Sequence, residues 1–391
     1  MGKSLFEITE DHLETGMRGY PVGYCLTSTV DQEKGLFYVG QPVSELADRS
    51  PEEVIYLLYH GREGNEQEIK TFSQELQQRA TCSPELIAQI QSLPREGHPM
   101  KWFATALLMA GMLEGTDDYR EDCLNLIAKL PEIAATVINA HAGWNSKQPS
   151  NPSLGYMENF THMLNVPNAD TEALNEVFRL FNILHYDHGG GNLSVFVGKA
   201  IASGLEDLYG SLSGAMCALA GPRHGRANQE NVRFVKSVLE DIGEEATEQK
   251  LDQYLRDKLA KKELIFGFGH AVLRVEDPRA TTCYRIADAK YPNHPLVKTA
   301  RLLRAVAPKI LIEGHKVADP YPNVDAISGI LLSAAGFPFS EYYTVLFGLS
   351  RCVGIAIQIV YERLEARDGK GLPIIRPKYF YKPRTAPVNA R

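Results

Sequence analysis

Cysteine is scarce in this sequence and is not arranged in pairs. The 391 residues include six cysteines, and no two of them form a C-x-x-C pair. Such spacing argues against a disulfide framework or a zinc ribbon and favours a reducing compartment. The N-terminal residues lack an apolar signal-peptide core and are too acidic for a transit peptide. We therefore expect a cytoplasmic protein.

Positive charge is also in short supply. There are 41 Lys and Arg residues against 48 Asp and Glu, which gives a net charge of −7. A protein this acidic is a poor candidate for non-specific binding to nucleic acid or anionic membranes. No apolar stretch reaches the roughly 18 uncharged residues that a membrane span needs. We expect neither nucleic acid nor membrane as a partner, although local basic clusters could meet a small anion.

Several common catalytic motifs are missing as well. The sequence has no H-E-x-x-H, no cysteine or histidine pairs at zinc spacing and no G-x-S-x-G. These absences argue against a metal site and against a Ser-His-Asp hydrolase. A lone G-x-G at residues 267–269 lacks the third glycine of a dinucleotide-binding fingerprint and is weak evidence for nucleotide binding.

Helix signals, in contrast, are abundant. Ser50 and Pro51, followed by two glutamates, predict the start of a helix that Gly61 ends. Apolar residues with helical spacing from Leu174 to Leu184 predict a second helix, which begins at residues 170–171. Strand-like alternation is confined to about residues 20–42, and the rhythm of a doubly wound α/β fold is absent. The sequence therefore predicts a mainly α fold with a small N-terminal β region.

The length indicates two domains, because 391 residues exceed what one hydrophobic core usually serves. The charged stretch 240–263 is typical of a solvated amphipathic helix and lies between two loops that contain glycine and histidine. We assign it to the surface of a smaller domain. The expected division is a large domain in two parts, 1–225 and 341–391, and a small, mobile domain at 226–340.

Two segments present histidines beside glycines. His188 precedes three glycines that let backbone approach a ligand, although a helix C-terminus would also explain His and Gly there. His224 follows a Gly-Pro break, near the expected start of a new helix. An imidazole at a helix N-terminus stays neutral and can donate a hydrogen bond to a developing enolate. The alternative is an interdomain hinge with an incidental histidine.

A third segment combines His270 with Arg274 and Arg279. Arginines near a histidine would repel its protonated form unless an anion lies between them, so an anionic ligand fits best. Asp325 opens an apolar helix, where it is either an N-cap or a general base at the edge of an apolar pocket.

Arginines in apolar surroundings complete the set. Arg351 lies in the apolar stretch 342–357, where a guanidinium is costly unless it pairs with an acid of this chain or with a substrate carboxylate. Arg376 also has apolar neighbours. Together these residues fit proton abstraction alpha to a carbonyl in a dicarboxylate-binding site.

The same segments resemble the signature segments of the citrate synthase family. They are HYDHGGGNLS, GPRHGRANQE, GFGHAVLRVEDPRA, PNVDAISGILL, EYYTVLFGLSRCVG and IIRPK. They occur in family order, and their residues resemble the mitochondrial-type branch of the family more closely. The resemblance implies a two-domain, helical citrate-synthase-like fold. It also implies that acetyl-CoA, oxaloacetate and water are converted into citrate and CoA, with the CoA thioester as a substrate and no cofactor or metal.

The resemblance further implies roles for individual residues. Asp325 would remove a proton from the acetyl-CoA methyl group, His224 would stabilise the enolate, and His270 would protonate the oxaloacetate carbonyl. The oxaloacetate carboxylates would be held by His188, Arg279, Arg351 and, from the neighbouring subunit of a homodimer, Arg376. The CoA phosphates would be contacted by Arg274 and Lys316.

Three other functions remain open from the sequence. A 2-methylcitrate synthase would use propionyl-CoA on the same scaffold, and one methyl group is worth only ~1–3 kcal/mol of discrimination. Cleavage of citryl-CoA is disfavoured because CoA-ligase domains are missing. An inactive helical binding protein is disfavoured because the candidate acid–base residues and the arginines are retained. The sequence departs from the family pattern at Arg223 and Arg226, where apolar residues are frequent.

Overall fold

The computed structural model describes residues 4–144, 148–314 and 319–383. This part of the chain forms sixteen α-helices and one three-stranded antiparallel sheet, so the predicted mainly α fold is confirmed. The strands are β1 (Ser28–Asp31), β2 (Gly35–Tyr38) and β3 (Gln41–Pro42). The helices are α1 (Val43–Leu46), α2 (Pro51–His60), α3 (Glu66–Arg79), α4 (Pro84–Gln91), α5 (Pro99–Glu114), α6 (Tyr119–Ala142), α7 (Tyr156–Met163), α8 (Thr171–His185), α9 (Leu193–Ala202), α10 (Leu208–Leu219), α11 (Ala227–Ile242), α12 (Glu248–Ala260), α13 (Pro278–Lys290), α14 (Pro295–Glu313), α15 (Asp325–Ala334) and α16 (Tyr343–Val360).

Local sequence signals explain where the helices begin and end. The Ser50 hydroxyl accepts a hydrogen bond from the Glu53 amide, and the Glu53 carboxylate accepts one from the Ser50 amide, which forms a capping box. Gly61 has a φ of 67° and ends α2, as a residue without a Cβ can at low cost. The predicted helix 51–60 is therefore confirmed, and so is the helix predicted from residue 171.

The sheet is smaller than the strand-like stretch of the sequence. β1 pairs with β2 in a register that places Ser28 opposite Tyr38, while residues 20–27 lie outside the strands. The Tyr38 hydroxyl donates to the Ile183 carbonyl at 3.0 Å and accepts from the Asp187 amide at 3.2 Å. These bonds fix the sheet to the C-terminal end of α8.

Helix α16 lies at the centre of the core, and all of its residues are buried. It packs against α5, α6, α8, α9 and α10. A Cβ at Gly354 would lie 2.4 Å from the Tyr186 carbonyl oxygen, so only glycine allows α16 to approach the turn after α8 this closely. This contact brings Arg351 of α16 to the same turn.

Two helices of the described chain are long and apolar enough, by length and composition, to cross a membrane. They are Tyr119–Ala142 and the helical stretch Ser340–Glu365. In the protein, 78% and 100% of their apolar windows are buried, respectively, which is typical of core helices. We therefore assign them to the protein core.

Helices α11 to α15 contact one another and form the body proposed as the smaller domain. α11 packs on α14 and α15, α12 packs on α14, and α13 packs on α15. In α12 only Leu251 and Leu255 are buried, which agrees with the predicted amphipathic helix. Contacts of α15 with α8 and of α11 with α16 join this body to the rest. The boundaries after residues 225 and 340 stay a proposal.

Candidate active site

The first candidate residue, His188, lies just beyond α8. The helix ends at His185, whose buried Nδ1 donates to the Phe181 carbonyl at 2.7 Å. The helix C-terminus that was the alternative interpretation of this segment is therefore present, three residues before His188. His188 is half-buried, and its ring centroid lies 5.4 Å from that of His270. Burial, together with the charges of Arg279 and Arg351, holds the pKa of His188 well below its usual value. The imidazole is therefore neutral at pH 7.

His270 is fixed by its own loop. Its Nδ1 accepts hydrogen bonds from the amides of Val272 and Leu273, at 3.0 and 2.9 Å. The ring proton therefore resides on Nε2, which can donate to a ligand. Burial and the charge of Arg279 lower the pKa of His270 to about 4, so this donor is also neutral.

Backbone contacts join the His270 loop to the loop before Asp325. The Asn323 amide donates to the Gly267 carbonyl, and the Gly269 amide donates to the Tyr321 carbonyl, both at 3.0 Å. Gly267 has a φ of +81°, and a Cβ there would lie 2.8 Å from the Cα of Ala326. Glycine is thus needed for this close approach, which holds the loop that carries His270 against the start of α15.

Asp325 is the first residue of α15, but its side chain does not cap the helix. The N-capping interpretation is therefore wrong: Val324 occupies the cap position, and Asp325 Oδ1 is buried without a hydrogen-bond partner in the described chain. Burial raises the pKa of Asp325 to about 7, although Arg279 and Arg351 act in the opposite direction. A carboxylate with a pKa near neutrality is suited to general-base catalysis.

His224 lies in the turn before α11, which begins at Ala227 rather than near His224 as predicted. Its Nε2 accepts a hydrogen bond from the Ser194 amide at 3.3 Å and lies 3.0 Å from the Ser194 hydroxyl. The ring proton therefore resides on Nδ1. Burial and the charge of Arg351 lower the pKa of His224 to about 4. The imidazole is thus neutral, as predicted, but burial replaces the helix dipole as the main cause.

The two buried arginines differ in their partners. Arg279 is 3% exposed and forms an ion pair with Asp277, with 2.7 Å between Nη2 and Oδ2. Arg351 is 1% exposed, and its Nε donates to the His185 carbonyl at 3.1 Å. Among the described residues, Arg351 has no ion-pair partner and its Nη1 has no acceptor. Burial lowers the pKa of Arg351 to about 10, so it remains a cation. An anionic ligand would satisfy it.

The other predicted residues lie outside this group. Arg274 is exposed, and its Nη1 donates to the carbonyls of Val272 and Leu273 at 3.0 and 2.6 Å. Arg376 is exposed in the C-terminal segment 371–383, which contains no helix or strand. Lys316 lies outside the described residues. Within those residues, no group of three or more His, Cys, Asp and Glu side chains could hold a metal ion.

Sequence reasoning missed several supporting residues. Asp277 caps α13 through the Arg279 amide and also pairs with the Arg279 guanidinium. Phe347 places its ring 4.8 Å from the Arg351 guanidinium carbon and 6.3 Å from the His224 ring. The Asp-Pro pair at residues 277–278 was a recognisable helix start, but no sequence signal indicated the second role of Asp277.

The chain is similar to known proteins over almost its whole length. The family model described as citrate synthase, C-terminal domain, matches residues 16–378. The chain is 36% identical to the mitochondrial citrate synthase 4 of Arabidopsis thaliana, over 96% of this chain and 82% of that protein. It is also 36% identical to the mitochondrial citrate synthase of Citrus maxima, over 97% and 84% of the two chains.

Two solved structures share the fold. A citrate synthase from Thermotoga maritima has a TM-score of 0.79 at 26% identity, with 97% of each chain covered. A citrate synthase from Thermoplasma acidophilum, solved as a ternary complex with carboxymethyl coenzyme A and oxaloacetate, has a TM-score of 0.80 at 26% identity. The alignment with it covers 96% of this chain and 98% of that one.

The predicted cytoplasmic location is wrong on this comparison. The relatives from Arabidopsis thaliana, Citrus maxima and Daucus carota are all named mitochondrial. The prediction depended on scattered cysteines and an acidic N-terminus. Scattered cysteines indicate a reducing environment but do not single out the cytoplasm.

Proposed function

The chain belongs to the citrate synthase family, and from this premise we propose which of its residues carry the reaction. It is an acyltransferase that condenses acetyl-CoA with oxaloacetate and water to give citrate and CoA. The CoA thioester is a substrate, and no cofactor is needed. The observation that carries the assignment is the unpartnered, buried carboxylate oxygen of Asp325 beside the His270 loop and the buried arginines.

Oxaloacetate binds first to the cationic side of the site. Arg351 offers an Nη1 that has no acceptor in the described chain, and Arg279 is held in place by Asp277. A guanidinium is a good partner for a carboxylate. Arg351 binds one end of the dianion through its Nη1, and Arg279 binds the other end through the N–H groups that its pairing with Asp277 leaves available. His188, neutral and adjacent to His270, supplies a further hydrogen bond.

Asp325 and His224 then enolise the thioester. The carboxylate of Asp325 takes a proton from the acetyl methyl group, and the electron pair of that C–H bond forms the enolate. The Nδ1–H of His224 donates to the thioester oxygen on which negative charge develops. Because the donor is already oriented by Ser194 and half-buried, it stabilises that charge with little reorganisation.

His270 completes the condensation. Its Nε2–H donates to the oxaloacetate carbonyl oxygen and transfers the proton as the enolate carbon attacks the carbonyl carbon. The carbonyl π bond breaks as the new C–C bond forms, which leaves the hydroxyl group of citryl-CoA. Water then cleaves the thioester to give citrate and CoA.

A second subunit would complete the site. Arg376 is exposed in a segment of its own chain, residues 371–383, that contains no helix or strand, so its side chain is accessible to a neighbouring subunit. Leu108, Met112 and Leu193 expose 43%, 72% and 56% of their surface. Burial of such side chains would favour dimerisation. We therefore keep the homodimer, with Arg376 in the partner's site, as part of the proposal.

The remaining predictions concern the binding of CoA and the closure of the active site. Exposed Arg274, beside the His270 loop, would meet the CoA phosphates together with Lys316. Movement of the body formed by α11 to α15 would close the site, because an enolate must be shielded from water. His270 and Asp325 belong to this body, whereas Arg351 belongs to α16.

The assay that tests the function follows CoA thiol release with oxaloacetate present. We expect acetyl-CoA to give a kcat/KM about 10- to 200-fold above that of propionyl-CoA, the range that one methyl group supports. Release must require oxaloacetate, and omission of oxaloacetate is the control. Equal or better use of propionyl-CoA would identify a 2-methylcitrate synthase, and absence of release with either thioester would contradict catalysis.

The pH dependence of kcat/KM should report Asp325. With a pKa of about 7, this base is protonated and inactive in a growing fraction of molecules as the pH falls below 7. His224 and His270, with pKa values of about 4, stay neutral over the same range. We expect kcat/KM, measured with both substrates below their KM values, to fall about tenfold per pH unit below pH 6. A flat profile from pH 5 to 8 would contradict the assigned base.

A further inference from the structure

A buried ion pair lies beside the substrate loop, by which we mean residues 188–191. Lys199 of α9 is 7% exposed, and its Nζ lies 2.8 Å from Oε1 of Glu362, which is 5% exposed. Burial of two charges usually costs about as much as their attraction returns. Such a pair therefore contributes little net stability, and its geometry is the more informative property.

The lysine also orients a glutamine. Lys199 Nζ donates to Gln358 Oε1 at 3.3 Å, so the amide nitrogen of Gln358 faces the opposite way. That nitrogen donates to both carboxylate oxygens of Asp187, at 2.8 and 3.1 Å. If the amide were reversed, its oxygen would face a carboxylate, which is unfavourable. Lys199 thus keeps Gln358 in the orientation that Asp187 requires.

Asp187 in turn fixes the backbone at the substrate loop. It accepts hydrogen bonds from the hydroxyls of Thr27 and Ser28 and from the His188 amide, the last at 2.9 Å. The Ser28 hydroxyl accepts a hydrogen bond from the Gly189 amide at 2.7 Å. Side-chain bonds therefore satisfy the backbone on both sides of the His188 side chain, where no helix or strand supports it.

The substrate loop also packs close to the Lys199 ammonium group. A Cβ at Gly190 would lie 3.1 Å from Lys199 Nζ and 3.6 Å from Gln358 Oε1. Replacement of the ammonium group would therefore alter the surface against which the loop packs as well as the orientation of the amide. Both effects act on His188 without contact between Lys199 and a substrate.

We propose that Lys199, through Gln358 and Asp187, positions His188 for oxaloacetate binding, with Glu362 as the fixed partner of Lys199. This inference rests on the proposed role of His188 as an oxaloacetate ligand. Lys199 is a positioning residue, because it acts through two intervening side chains.

The test separates positioning from stability. Lys199→Met alone would leave Glu362 buried without its partner, so the double variant Lys199→Met/Glu362→Leu is used to remove both charges. We expect it to fold and to raise the KM for oxaloacetate on the order of 10-fold, with the KM for acetyl-CoA within about twofold of the original. Gln358→Met, which keeps the ion pair but interrupts the chain of hydrogen bonds, should give the same selective rise.

The control is a second partly buried pair, Lys129 with Glu114, whose side chains are 15% and 8% exposed. Lys129→Met/Glu114→Leu should leave the KM for oxaloacetate unchanged. If the KM for oxaloacetate is unchanged in either the folded double variant or Gln358→Met, the inference is overturned. It is also overturned if kcat and the KM values for both substrates all change by similar factors.

His188→Ala, assayed alongside, separates the inference from its premise. An unchanged KM for oxaloacetate in His188→Ala would contradict the role of His188 itself. If the KM for oxaloacetate rises in His188→Ala but is unchanged in Gln358→Met, only the positioning role of Lys199 is overturned.

Discussion

Asp325→Asn is expected to lower kcat by a factor on the order of 10² to 10⁴, the range that a positioned general base contributes. Asparagine keeps the shape of the side chain but cannot accept the methyl proton. The loss should appear in kcat, since Arg279 and Arg351 remain to bind oxaloacetate. Steady-state thiol release and equilibrium binding of oxaloacetate measure the two quantities separately.

Folding of the same variant provides the control. A carboxyl group whose pKa is about 7 in the folded protein and 3.8 otherwise destabilises the fold increasingly as the pH rises through that interval. The neutral amide removes this cost. Asp325→Asn should therefore melt at least as high as the original protein at pH 8, so a loss of turnover could not be attributed to unfolding. Near-normal turnover in the variant would exclude Asp325 as the base.

Secondary structure was the feature that the sequence predicted best. Helix α2 follows from Ser50, Pro51 and Gly61, because capping depends on residues within one turn of the helix end. The same local reasoning misplaced the start of α11. His224 and Arg226 both donate backbone bonds to the Gly221 carbonyl, which extends the turn after Gly-Pro and delays the helix to Ala227.

The partners and protonation states of the site residues were harder to predict, because they depend on burial by parts of the chain that are distant in sequence. Asp325 is compatible with both an N-cap and a general base by sequence, and its unpartnered, buried oxygen distinguishes them. For Arg351 the sequence left open a partner from this chain or a substrate carboxylate, and the structure shows that Asp277 pairs with Arg279 while no described acid pairs with Arg351. The roles assigned to them stay predictions that kinetics must test.

His224→Ala is expected to lower kcat on the order of 10²- to 10³-fold, the cost of losing one preorganised donor to a developing oxyanion. The side chain is half-buried, and its Nε2 is engaged by Ser194, so Nδ1–H is the group lost to the substrate. Without that donor, Asp325 would have to form an enolate whose charge is unsupported. Thiol release with acetyl-CoA measures the loss.

The effect should be confined to the acyl half of the reaction. Because Arg279, Arg351 and His188 are untouched, we expect oxaloacetate affinity to stay within about twofold of the original, a change well below the effect on kcat. His294→Ala is the matched control, since it removes another half-buried histidine with a pKa lowered by burial, at the start of α14. Turnover close to the original in a folded His224→Ala protein would mean that the enolate is stabilised by another group. Equal losses in oxaloacetate affinity and kcat would instead place His224 on the dicarboxylate side of the site.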